Sequence, residues 1–69
     1  MPEYIYVVSE DFVDGSRVIG SAKSLAKAVL IVHETGDVRI DAEWRDFYQG
    51  WRCEGEIYSY LIDKVEVVQ

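Results

Sequence analysis

The sequence predicts a small α+β domain of order β-β-α-β-β: an antiparallel sheet of about four strands, one helix packed across one sheet face, and an aromatic-rich connection before the last strand. Three observations carry this expectation. "YIYVVS" (Tyr4 to Ser9) and "EIYSYLIDKVEVV" (Glu56 to Val68) are dense in β-branched and aromatic residues. "DVRIDAEW" (Asp37 to Trp44) alternates apolar and charged residues with a period of two. Between these, "SLAKAVLIVHETG" has a serine start, helical apolar spacing and a glycine stop. The 69 residues contain no repeat, linker or low-complexity tract, so 1-69 reads as a single domain.

In "YIYVVS", Ile5 and Val7 alternate against Tyr4, Tyr6 and Val8, the pattern of a strand. Asp14-Gly15 then marks a turn, because glycine accepts positive φ without steric cost. "SRVIGS" returns as the second strand of an antiparallel hairpin. Ser21 or Ser24 can cap the helix, which runs to about Thr35 and stops at Gly36. At about 100° per residue, Leu25, Ala28, Val29 and Val32 fall on one side and face the sheet. Leu30 and Ile31 lie off that stripe. Either a curled sheet or the aromatic segment covers them, or they mark a homodimer or partner contact, the usual meaning of an exposed apolar patch.

Val38, Ile40, Ala42 and Trp44 share one face of the expected third strand, with Asp37, Arg39, Asp41 and Glu43 on the other. The last strand changes phase: Tyr58, Tyr60 and Ile62 share a face, whereas Val65 and Val67 take the opposite one. A bulge or bend near Asp63-Lys64 is expected there.

"EWRDFYQGW" (Glu43 to Trp51) holds four of the nine aromatic residues. Trp44, Phe47, Tyr48 and Trp51 have the i, i+3, i+4, i+7 spacing of a helix face, with Asp41 as a cap and Gly50 as a stop, yet the residues before them alternate as a strand. A strand followed by a short helical turn or a wide aromatic loop satisfies both signals. These side chains serve either as core, at about 150–250 Å² each, or as interface anchors. Tyr48 and Trp51, beside Gly50, are the pair expected to be exposed.

A domain of this size buries only about 60% of the surface its unfolded chain exposes, so large aromatics, self-association or a partner must supplement the core. Thirteen acids against seven bases give a net charge of −6, spread along the chain. That sign disfavours direct nucleic-acid binding, which depends on Lys and Arg at phosphates, and disfavours anionic membranes. The apolar runs "IYVV" and "VLIV" are too short to span a bilayer, and Glu3 stands where a secretory signal has basic residues. One cysteine, Cys53, cannot form an internal disulfide, which fits the reducing cytoplasm.

No motif for catalysis, a metal or a cofactor is present. His33 is the sole histidine and has no zinc-type cluster around it. Arg52 beside Cys53 favours a thiolate, but Glu54 opposes it. "EDFVDG" lacks the spaced oxygens and closing glutamate of a calcium loop. The expected function is non-enzymatic: a module binding a protein partner through Trp44, Phe47, Tyr48, Trp51, Leu30 and Ile31. The alternative is a nucleic-acid mimic whose acidic surface, Asp37, Asp41, Glu43 and Asp46, occupies a basic groove. Strand residues at i,i+2 lie about 6.6–7 Å apart, close to the separation of successive phosphates, although Arg39 interrupts the row.

"YIYVVSEDFVDGSRVIGSAKSLAKAV" resembles the amino-terminal half of many small uncharacterised proteins encoded by bacteriophages. The matching positions are Tyr6, Val7, Ile19, Gly20, Ser21 and Ala28. The resemblance implies an accessory protein that binds and modulates or inhibits a host protein, and it carries over no functional residue.

Overall fold

The computed structural model of the chain describes residues 3–35, 38–39 and 41–68. They form β1 (Glu3–Phe12), β2 (Gly15–Ala22), α1 (Leu25–Thr35), β3 (Arg45–Phe47), β4 (Gly50–Glu54) and β5 (Ser59–Val67). All strands belong to one antiparallel sheet of five, ordered β2-β1-β5-β4-β3. The last strand returns to the middle of the sheet, so β1 and β5 are flanked by others on both sides.

The first hairpin closes from Phe12 to Gly15 around Val13 and Asp14, with Gly15 at φ +149°. Ser24 caps α1: its Oγ accepts a hydrogen bond from the Lys27 amide at 3.3 Å. Gly36, the expected stop, lies outside the described residues. Ala28 and Val32 are fully buried on the sheet, and Leu25, Val29 and Ile31 pack around them. From the sheet come Val8, Tyr60, Ile62 and Cys53, and Val38 closes the cluster from the loop after the helix.

Several expectations are corrected. There are five strands rather than four, because the aromatic segment supplies two. Trp44, Phe47, Tyr48 and Trp51 belong to neither a helical turn nor a wide loop. Trp44 ends the irregular segment before β3, and the β3–β4 hairpin carries Phe47, Tyr48 and Trp51 around a two-residue turn, Tyr48-Gln49, pairing Phe47 with Gly50. Gly50 is therefore not a helix stop. A Cβ there would run into the carbonyl oxygen of Ile62, so its lack of a side chain lets β4 close on β5.

The expected strand over 37–44 does not form among its described residues. The chain must cross from α1 to the sheet edge opposite β2. It does so as an irregular segment, with an Ala42 amide bond to the Arg39 carbonyl at 3.0 Å, that lays Val38, Ala42 and Trp44 on the core. Asp37 and Ile40 lie outside the described residues.

Of the two alternatives left open for Ile31, the structure has it covered: it points inward and packs on the core. β2 shifts register against β1 between Val8 and Ser9, which turns both Ile19 and Gly20 toward the helix. A Cβ on Gly20 would stand 3.4 Å from two Ile31 side-chain carbons, so the glycine provides the groove that accepts Ile31. Leu30, opposite the buried stripe, is exposed alone. Nor does β5 bulge near Asp63-Lys64: it pairs with β1 residue for residue from Val67 at Glu3 to Ser59 at Asp11.

Candidate functional site

Alternation assigns each strand residue to a side of the sheet, because directly paired residues project the same way. Tyr6, Val8 and Glu10 of β1, Tyr60 and Ile62 of β5, and Trp51 and Cys53 of β4 face α1 and the 38–44 segment. Ile5, Val7, Ser9 and Asp11 project to the other side, with their partners Val65, Asp63, Leu61 and Ser59. Glu3 with Val67 ends that row, and Val18 joins it opposite Ser9. No described element covers this second side. Its aliphatic part is formed by Ile5, Val7, Val18, Leu61, Val65 and Val67, of which Val65 is 42% and Val18 66% exposed.

Toward the other end the open face becomes polar and aromatic. The Arg52 guanidinium donates to Glu54 Oε1 at 2.9 Å, to Ser59 Oγ at 3.0 Å and to Asp11 Oδ2 at 3.4 Å, while the Ser59 hydroxyl donates to Glu54 Oε2 at 2.7 Å. The hydroxyl of Ser59, then the guanidinium, hold the Glu54 carboxyl below its ordinary range, and the bond to Glu54 raises Arg52. The Phe47 ring lies 5.3 Å from the same guanidinium and edge-on to Tyr48 at 4.6 Å between centroids.

Tyr48 is 94% exposed and has φ +52°, the only described non-glycine residue with positive φ. A bulky residue rarely takes this conformation, which costs on the order of 1–3 kcal/mol. Burial of the ring does not compensate for it. Of the six apolar residues expected to bind a partner, Phe47 and Tyr48 thus stand together at the hairpin tip, beside the open face. Trp51 is not the exposed companion of Tyr48: it packs on Tyr6 with centroids 6.0 Å apart, as part of the covered side. Trp44 also packs there, with its buried Nε1 lacking a partner among the described residues. Ile31 is on the core and Leu30 stands apart on the helix.

The acidic residues do not form a row. Asp37 lies outside the described residues. Asp41 is at a turn, paired with Arg39 at 3.2 Å; Glu43 is in the irregular segment; Asp46 is in β3. Without a strand at 37–44, the phosphate-like spacing expected of them is lost.

Cys53 is buried, and burial first, then the Glu54 charge, push its thiol upward, the reverse of an activated nucleophile. Among the described residues no group of three His, Cys, Asp or Glu could hold a metal ion, and no helix is long and apolar enough to cross a membrane. Sequence reading missed the open face, although its signal was present in the phase change of β5. Val65 and Val67 are apolar on the side opposite Tyr60 and Ile62, the mark of a strand with two apolar faces rather than a bent one. No family model matches the chain, no curated protein matches it, and no solved structure matches it.

Proposed function

We propose that this chain is a non-enzymatic protein-binding module that docks on its partner through the open side of the sheet and the Phe47–Tyr48 hairpin tip. The observation that carries this reading is the uncovered aliphatic side of the two central strands. A solitary small domain gains nothing by leaving Val18 and Val65 exposed and Ile5, Val7 and Val67 only half-buried, and such patches mark interaction surfaces. The strained, exposed Tyr48 beside them supports the same role, since strain of this kind clusters at functional sites. The phage-like amino-terminal pattern makes a host protein the partner and host modulation or inhibition the consequence. A single buried thiol suits a reducing cytoplasm. Nucleic-acid mimicry takes second place, because among the described residues Asp41, Glu43 and Asp46 share no strand.

The test is affinity capture from a bacterial lysate with the tagged full chain, its Val65→Glu variant and a Leu30→Ser control on the helix. The reading predicts a partner retained at high salt by wild type and Leu30→Ser and lost by Val65→Glu, with cooperative unfolding kept in all three. Loss with Leu30→Ser but not Val65→Glu would move the interface to the helix, and a partner that elutes at moderate salt would favour the mimic.

A further inference from the structure

Asp63 sits within the aliphatic part of the open face. It pairs with Val7, and its neighbours along the same side of β5 are Leu61 and Val65. Its carboxylate is exposed and makes no hydrogen bond or ion pair among the described residues. Lys64 provides no counter-charge, because it projects to the other side with its ammonium 4.2 Å from the Tyr4 ring centroid. Arg52 and Arg45 act on Glu54, and Lys23 shares a hollow with Glu3 at the far rim. Any occupant that covers Ile5, Val7 and Val65 must also cover this charge, and a carboxylate removed from water without a cation is heavily penalised.

Resting on the docking reading above, we infer that the occupant of the open face is an apolar segment of another protein with a lysine or arginine at its centre, seated on Asp63, rather than a second copy of this chain. A two-fold pair would bury Asp63 of both copies, whereas the basic residues on this side already have carboxylates beside them. Each copy also brings a net charge of −6, which opposes self-association. A basic partner meets both the central carboxylate and the overall field.

The cation requirement can be read with small probes. The isotope-labelled full chain and its Asp63→Asn variant would be titrated with hexylammonium, hexanol and hexanoate at low ionic strength, following backbone amide shifts. The expected result is that hexylammonium shifts Val7, Leu61, Asp63 and Val65, binding about threefold or more tightly than hexanol, and that Asp63→Asn removes the difference. Equal binding of hexylammonium and hexanol by wild type, or an unchanged preference in Asp63→Asn, would overturn the cation while leaving the docking face. If none of the probes shifts the open face, the docking reading itself fails. Concentration-dependent dimerisation in sedimentation equilibrium, with the same amides shifting, would make a second copy the occupant and overturn the inference.

Discussion

The two sides of the central strands carry similar side chains and have different fates. On one side Val8, Tyr60 and Ile62 are sealed by α1 and the 38–44 segment. On the other, Ile5, Val65 and Val67 match Val8 and Ile62 in β-branched chemistry but have no element packed over them among the described residues, with Val65 exposed and Ile5 and Val67 half-buried. Burial, rather than residue type, separates a stabilising side chain from one available to a partner. The covered side contributes stability through packing, while the open side contributes little until something docks on it.

Substitutions can separate the two sides. The largest effect is expected at Gly50, where alanine would push a Cβ into the Ile62 carbonyl; the β4–β5 junction should part, with loss of the cooperative transition in urea unfolding. Next come paired truncations on one strand: Ile62→Ala should cost about 2–5 kcal/mol in urea unfolding, and Val65→Ala less than about 1 kcal/mol. Equal costs would mean that the open side is covered after all. Tyr48→Gly should raise stability by about 0.5–1 kcal/mol through relief of its positive φ, while weakening partner capture. A loss of stability would place the ring in the fold instead. The smallest effect belongs to Glu54, whose carboxyl is lowered by Ser59 and Arg52. A lowered native pKa gives stability that is present above the ordinary carboxylate range and lost as pH falls through the native value. Its exposure leaves the pair largely screened, so Glu54→Gln should only slightly flatten the acid side of a stability-versus-pH profile.

Much of this fold was legible locally. The first hairpin, a serine cap at Ser21 or Ser24, the stripe of Leu25, Ala28, Val29 and Val32, and the β character of 59–67 follow from turn chemistry and periodicity. What was not legible depends on long-range geometry. The alternation of 37–44 is shared by a strand and by an extended crossing segment, and only the position of β3 at the far edge decides between them. The helix-like spacing of Trp44, Phe47, Tyr48 and Trp51 arises because a two-residue turn divides these residues between the two sides. Whether Ile31 is covered or free could not be decided locally, because the groove at Gly20 depends on a register shift that no local pattern announces. For the candidate site, Phe47 and Tyr48 could be picked out from residue type alone, whereas Asp63 and Val65 became visible only once β5 was seen to lie beside β1 without a bulge.

The most direct test of the two-sided sheet is methyl NMR of the free chain with a soluble paramagnetic agent. Strong broadening of the Val65, Val67 and Ile5 methyls, with Val8, Val32 and Ile62 spared, is the result that an open docking face predicts. Equal protection of the two sets at concentrations where the chain is monomeric would contradict it, because the aliphatic side would then already be covered by the chain itself.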